Sequence, residues 1–552
     1  MTREHIAGEI AASGYRLPVY AYRRPSDIGE RIRRVPVVVV GAGLSGLACA
    51  LDLTSRGVSC LVLDDDCTVG VRGASSRGIA YARKTLEILG RLGALAPVAS
   101  RGVTWAVGRT FDYDHELFRF DLAADGSLLQ PPFVNIQQFY VEAAMVDRAY
   151  EMGIEIRWKN TVTGIRVASD HVMLDVTTPD GMYNIEAEWL IDASGVNSKL
   201  RGQAGISVAT AQGEDRWCIC DVRFKRPWPI ERWTWLRAHF NGGRAVWRHP
   251  LPDDVWRLDY QLPSTESAQF IDEKTAYDMV RNHVGPQEEF EVVWAGPWAY
   301  RNQLADRFRN GRVFLVGDAA HAFSPFGGRG GNSGVQDSEN LAWKLALVLQ
   351  GTAPDALLDS YNDERREAAR HNIHVTSETN EFLNPASWYR RMMRNCILES
   401  ARHLPLMRRF VNSGKMSVPF VYKRSQIVMA GGHALSNIPL RYGSDRRTQT
   451  TDLLAGPIAG VLLDFCESPE AAANLKSAVA ATGLKIRFLR VSPRPGPDDL
   501  FADPMLRQNA GLPAEGEAVL LLRPDGHIAA MGRRELAPRQ VQKSIGLPVQ
   551  DA

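Results

Sequence analysis

Gly41, Gly43 and Gly46 form a G-x-G-x-x-G spacing directly after VPVVVV, residues 35–40. The β-branched run suits a strand buried on both faces of a parallel sheet, and LACALDLTSRG, beginning at Leu47, carries helical apolar spacing as far as Gly57. A glycine turn between such a strand and helix lets the backbone bring a helix N-terminus against a pyrophosphate. VSCLVLDDD then reads as a second buried strand. Asp64 closes it 23 residues after Gly41, where a carboxylate can accept hydrogen bonds from a ribose. The spacing points to a bound dinucleotide and does not choose between FAD and NAD.

A second constellation lies near residue 320. RVFLV, residues 312–316, is another buried-strand pattern that enters GDAAHAFSPFGGRGGNSG and then a long helix, VQDSENLAWKLALVLQG. A glycine-dense loop between strand and helix is what close backbone approach to a flat, charge-accumulating cofactor requires. The segment resembles the GD motif of the group A flavoprotein aromatic hydroxylases, the para-hydroxybenzoate and phenol hydroxylase family. That resemblance implies FAD, with Gly317 and Asp318 at the ribityl chain and Pro325 beside the flavin where oxygen reacts. It also implies that Gly330, Gly331 and Asn332 present backbone to the pyrimidine edge, the helix N-terminus stabilising negative charge on reduced flavin. Arg77 in SSRGIAYARKTLEILGRLG and Gln138 in NIQQFYVEAAMV match the family's arginine and glutamine that contact FAD; surface or capping roles are the alternative. His321 takes a packing role by the same likeness, since the family's histidine there has no assigned proton chemistry.

The resemblance, strongest toward the phenol hydroxylase and 3-(3-hydroxyphenyl)propionate hydroxylase branch, implies a monooxygenase. The resemblance implies that NADPH or NADH reduces FAD, that O2 adds at C4a, and that the hydroperoxide transfers OH to a phenolic ring of phenol, catechol, nitrocatechol or phenylpropionate type. A polyketide-tailoring oxygenase and a flavoprotein oxidase or dehydrogenase are the alternatives, and no residue is assigned to deprotonate the phenol. One departure concerns the family's ADGARSxVR stretch: here DASGVNSKLR puts Ser194 where an aspartate is expected, with Asp192 two residues earlier on the same strand face. RWTWLR, with Trp233 and Trp235, lacks the Ile-Pro of the halogenase motif WxWxIP.

These residues need elements to position them. The fold class expected is α/β: a Rossmann-like FAD-binding domain built from residues 35–209 and 301–445, a β-rich substrate domain inserted at 210–300, and a thioredoxin-like α/β domain at 446–552, with 1–34 as an N-terminal extension. The insert holds eight of the thirteen tryptophans, so its aromatic side chains divide between core and pocket lining. The C-terminal part resembles the thioredoxin-like domain of the phenol hydroxylase branch, LLLRPDGHIAAM included, but carries no CxxC for redox work. With 552 residues the chain is long enough for two or three cores. Its 65 basic against 63 acidic residues imply no nucleic-acid partner. Seven cysteines without metal or disulfide spacing read as reduced thiols in a cytoplasm, with no metal site; Cys218 and Cys220 read as buried small residues. The first 34 residues lack the apolar core of a secretory signal, and no run is long enough to span a membrane. The partners expected are a small aromatic substrate and O2, with a homodimer implied by the resemblance.

Overall fold

The computed structural model describes residues 6–12, 15–70, 78–122, 128–263, 271–412, 416–443 and 446–548. A parallel stack runs in the order Glu155–Arg157, Cys60–Leu63, Arg33–Val40, Gly181–Asp192, and Val313–Leu315 pairs with the far edge of Gly181–Asp192. Val37, Val38 and Val39 are fully buried, as their continuous β-branched run requires of a strand covered on both faces. The 181–192 strand is long enough to fold back through the PDG turn on Val172–Thr178, which in turn pairs with Thr161–Val167. Leu44–Ser55 packs against two other helices, Gln138–Glu151 and Arg329–Leu349. The helix Arg83–Leu92 stops at Gly93, whose φ of 79° is a left-handed cap that a side chain would strain.

A second sheet runs in the order His321–Ala322, Phe290–Ala305, Val208–Phe224, Val255–Gln261, Arg244–Pro250, Arg232–Ala238, Val107–Asp112, His115–Asp121. Its last two strands come from outside the strand-rich 210–300 segment. The period-2 alternation of side chains separates two faces. One carries Cys218, Cys220, Val246, Leu258, Tyr260 and Trp235 and packs on Ala276 and Val280 of the helix Glu273–Val284. Sequence reading found only strands in this region and passed over that helix, although Ala276, Met279, Val280 and Val284 recur at helical spacing; its N-cap is Asp272, which accepts the Thr275 N–H. Cys218 and Cys220 are buried with their sulfurs 3.6 Å apart, and all seven cysteines are free thiols.

The third sheet, from residues 439 to 532, contains Gly460–Phe465 paired parallel to Ile486–Ser492 and antiparallel to Ala518–Leu522. AVLLLRPDGHIAAM, one strand by sequence pattern, is two: Ala518–Leu522 and Ile528–Gly532 with RPDG turning between them. That turn is also an anchor. Arg523 donates to both oxygens of Glu364 at 2.6 and 2.9 Å, and Lys344 donates to Glu364 at 2.8 Å. Asp525 accepts from the Trp343 indole at 3.1 Å, while its carbonyl accepts from Lys84 at 2.7 Å. All these charges are buried, so the third sheet is tied to helices 329–349 and 359–383 by a desolvated ionic cluster. Near the other terminus, Tyr15–Tyr20 buries Tyr15, Leu17 and Tyr20 in the main core. No helix among the described residues is long and apolar enough to cross a membrane.

Candidate functional site

The motifs meet at the C-terminal ends of the parallel strands, where Val40, Asp192 and Leu315 are register neighbours. Two of the first three glycines are required by contacts within the protein. A Cβ on Gly46 would lie 1.9 Å from the Gly41 carbonyl oxygen, and one on Gly41, whose φ is +106°, would lie 2.5 Å from the Ala193 carbonyl oxygen. Gly43 differs: its missing Cβ faces only Glu142 Oε1, at 3.7 Å, so the approach to the helix N-terminus stays open. Asp64 ties this turn to the second strand, accepting the Ala42 N–H at 2.6 Å and the Asp66 N–H at 2.8 Å. Burial pushes the Asp64 carboxyl up to about 6 against the pull of these amides.

Gln138 opens its helix beside the same turn. It accepts the Gly78 N–H at 3.2 Å and donates to Glu142 at 2.8 Å; Glu142 also accepts from Leu44 N at 3.1 Å and Gly70 N at 2.7 Å. A buried carboxylate thus crosslinks the glycine turn, the Gly70 chain and Gln138, and burial pushes it upward. Sequence reading missed Glu142; its spacing four residues after Gln138, one helical turn on, was the available signal. Arg77 lies outside the described residues.

The second loop closes over the first. Gly317 and Gly334 pack on Ser45, and Ser338 Oγ donates to the Ser45 carbonyl at 2.7 Å, fixing the 329–349 helix against the 44–55 helix. Asp318 is exposed in the turn Gly317–Ala319. Asn332 is a clamp: its side-chain oxygen accepts from Ala82 N at 2.9 Å and Thr85 Oγ1 at 2.6 Å, and its nitrogen donates to the Ala80 carbonyl at 2.8 Å. A Cβ on Gly330 would meet nothing within 4 Å, whereas one on Gly331 would meet Leu44 at 3.0 Å. His321 is buried, stacked on Phe323 at 4.6 Å, with Nε2 2.6 Å from Asp337. Asp337 also accepts from Arg365 at 2.6 Å and Gly317 N at 3.1 Å; burial opposes its charge, but His321 and Arg365 hold the carboxyl below its usual range. This places His321 in the packing that supports the loop.

In the altered middle motif, Ser194 is exposed and gives Asp192 both its N–H, at 3.0 Å, and its hydroxyl, at 2.6 Å. Ser198 occupies the other Asp192 oxygen, so this fully buried carboxylate organises the loop and does not reach the surface. Arg201 donates to the Ala319 carbonyl at 3.2 Å, joining this loop to the Asp318 turn.

Residues 34–376 match the model of the FAD binding domain family. The chain belongs to that family. It is 30% identical to anhydrotetracycline monooxygenase of Streptomyces rimosus over 90% of this chain and 95% of that protein. It is 26% identical to 3-(3-hydroxy-phenyl)propionate/3-hydroxycinnamic acid hydroxylase of Mycolicibacterium smegmatis, over 93% of both chains. The fold matches the flavin-dependent monooxygenase PieE in complex with FAD and substrate at a TM-score of 0.75, with 22% identity over 93% of this chain and 98% of that one. It matches aklavinone-11 hydroxylase in complex with FAD and aklavinone at a TM-score of 0.73, with 23% identity over 93% and 99%.

The chain is therefore an FAD-dependent aromatic monooxygenase with a mixed α/β fold. The open approach at Gly43 and the unencumbered Gly330 fit a cofactor lying along backbone rather than side chains. In this monooxygenase Phe326, next to Pro325, sets its ring edge-on to Trp247 at 5.0 Å, and Trp247 stacks on Trp217 at 4.6 Å. The loop that follows Asp318 therefore rests on the inner face of the second sheet. Across that face the register aligns Asp221 with Arg257 and His249, and Asp259 with Trp247 and Thr234. Arg257 and Asp221 form a buried two-bond ion pair at 2.7 and 2.9 Å, joined by the Tyr15 hydroxyl at 3.0 Å. Burial pushes the Asp259 carboxyl up to about 7. Trp233 and Trp235 lie on the opposite face, away from this cluster, around the Arg248 guanidinium.

Proposed function

We propose that this monooxygenase hydroxylates a phenolic ring held between the Pro325 loop and the inner face of the second sheet. The observation that carries the reading is the seating of Phe326 on Trp247, which joins the flavin-type loop to a buried face bearing both aromatic and hydrogen-bonding groups. In this reading the Gly43 turn and the first amides of the 44–55 helix take the pyrophosphate, Gln138 and Asp64 take neighbouring polar groups, and Asp318 takes the ribityl chain. The backbone at Gly330, Gly331 and Asn332 faces the pyrimidine edge, and Arg77 belongs to the same set. Bound FAD supplies electron transfer from NADPH or NADH and the activation of O2. The chain's own contribution is to orient the ring and exclude water. Trp217, Trp247, Phe326, Leu236 and Leu398 are buried together and give the loop a dry wall. The residues 35–209 and 301–445 serve as the Rossmann-like FAD-binding part, 210–300 as the substrate part, and 446–552 as a thioredoxin-like part without redox chemistry.

A second reading is the tailoring of a polycyclic aromatic of polyketide origin, favoured by the 30% likeness to anhydrotetracycline monooxygenase over 95% of its length. One experiment tests both. The FAD-loaded protein is given NADH or NADPH, O2 and a panel of simple phenols, catechols, phenylpropionates and polycyclic phenols, with reductant consumption and ring product measured together. Stimulated consumption with stoichiometric hydroxylation by one class is the expected result. Hydrogen peroxide alone with every member refutes the hydroxylase reading.

A further inference from the structure

Arg232 stands at the start of the strand Arg232–Ala238 on the inner sheet face. Its register partner on one side is Gly108, and continuing the pairing of Trp233 with Arg248 sets it against His249 on the other. The side chain is 4% exposed, yet Nε has no hydrogen-bond partner and the guanidinium enters no ion pair or ring contact among the described residues. The two other arginines buried in this sheet have partners, although Arg248 Nε and Nη2 also lack hydrogen bonds. Arg257 has its ion pair with Asp221, and Arg248, on the opposite face, lies 3.7 Å from the Trp233 ring centre and 4.4 Å from that of Trp228. An uncompensated buried cation costs several kcal/mol, so its retention calls for a partner that the polypeptide does not provide.

The surroundings indicate what that partner is. Thr110 Oγ1, Thr234 Oγ1 and Trp247 Nε1 are also buried without hydrogen-bond partners, and all three residues lie on the same face within two strands of Arg232. Each can donate a proton. Asp259, the carboxylate whose charge Arg232 feels, sits 3.8 Å from His249 and forms no ion pair with Arg232. Several donors and one cation converge where Asp259, whose Oδ1 also lacks a hydrogen-bond partner, stands outside ion-pair distance of Arg232. Trp247 carries Phe326 on its ring, so the cluster borders the loop that follows Pro325.

We propose that Arg232, with Thr110 and Thr234 beside it, binds an ionised oxygen of the aromatic substrate and so sets its orientation. This rests on the hydroxylase reading above for the ring's location. The ligand class is an aromatic oxyanion, either the carboxylate of an aryl acid or the enolate of a hydroxyquinone, both of which match the guanidinium fork.

The test uses binding to the oxidised, FAD-loaded protein, read by the change in flavin absorbance, so it needs no turnover. Each anion is paired with a neutral twin: 3-(3-hydroxyphenyl)propionate with its primary amide, and 2-hydroxy-1,4-naphthoquinone with its methyl ether. At least one anion binds wild type about tenfold or more tightly than its twin, as loss of a charge-assisted hydrogen bond predicts. The pair that shows it identifies the oxyanion's source. Arg232→Met abolishes the preference, Arg232→Lys restores part of it, and ligand-free Arg232→Met melts no lower than wild type because an unpaired buried charge has been removed. Absence of preference in both pairs, its survival in Arg232→Met, or a lower melting temperature of that variant overturns the assignment. A wild type that shows the preference but hydroxylates no phenol refutes the hydroxylase reading and leaves the anion site standing.

Discussion

Replacing Gly43 with alanine, judged against the same change at Gly46, separates cofactor recognition from fold maintenance. At Gly46 the new Cβ would lie 1.9 Å from the Gly41 carbonyl oxygen, a contact that only a backbone shift can relieve. Alanine in a helix interior gains about 1 kcal/mol over glycine, but overpacking of this kind costs about 1–3 kcal/mol and wins. At Gly43 the nearest atom is Glu142 Oε1 at 3.7 Å, ordinary contact, so the apoprotein accommodates the methyl group without moving backbone. The methyl group then stands where the pyrophosphate must approach the amides. Loss of one charge-assisted hydrogen bond, about 1.5–3 kcal/mol, raises the FAD dissociation constant roughly 10- to 150-fold. Apoprotein melting and titration of apoprotein with FAD, followed by quenching of flavin fluorescence, read the two effects separately. Gly43→Ala keeps the wild-type apoprotein melting temperature and binds FAD weakly; Gly46→Ala melts lower. If Gly43→Ala binds FAD as wild type does, or melts as low as Gly46→Ala, the division of roles between these glycines is wrong.

Two further outcomes follow from buried charges. Arg523→Met leaves Glu364 and Asp525 without their shared cation, a loss of about 3–5 kcal/mol; denaturant unfolding with early exposure of residues 446–548 to protease checks it, and a loss below about 1 kcal/mol contradicts it. For Asp64, a folded pKa of about 6 lies above the ordinary value near 3.9, so the folded state holds the proton more tightly and Asp64 makes apoprotein stability fall as pH rises from about 4 to about 6. Asp64→Asn flattens that slope, measured as apoprotein melting across the window; an unchanged slope assigns the dependence to other groups.

The strand–glycine–helix signature and the GD loop were legible because each depends on local physics: a β-branched run, a backbone turn that tolerates no side chain, and a helix beginning at the turn. Gly46 satisfies a requirement set by the Gly41 carbonyl within the same turn, and Gly41 one set partly by its own positive φ and partly by the distant Ala193 carbonyl. Gln138 was legible from its motif, whereas Glu142 was not, because its value depends on Leu44 and Gly70, which are 98 and 72 residues away. Asp192 shows the opposite failure. Its strand parity was readable, but whether its carboxylate reached solvent depended on Ser194 and Ser198 folding back over it.

By itself the sequence determined that a dinucleotide fold is present, since close backbone approach leaves its mark in glycine positions, while FAD followed from the resemblance of the GD-motif segment to the aromatic hydroxylases. It also marked the segment around 210–300 as an aromatic sheet, since strand composition and alternation are local. Tertiary structure alone decided which side of that sheet each residue serves. Alternation sets Trp233 and Thr234 on opposite faces, but only the pairing of Thr234 with Trp247, and the packing of Phe326 on one face and of helix 273–284 on the other, say which face each residue serves. The same holds for the arginines: Arg232, Arg248 and Arg257 are one residue type in one sheet, and their neighbours across strands make one a partner of tryptophans, one of a carboxylate, and one a cation with neither ion pair nor ring contact among the described residues. Charge compensation is a property of contacts between distant segments, and for that reason it was not written in the order of residues along the chain.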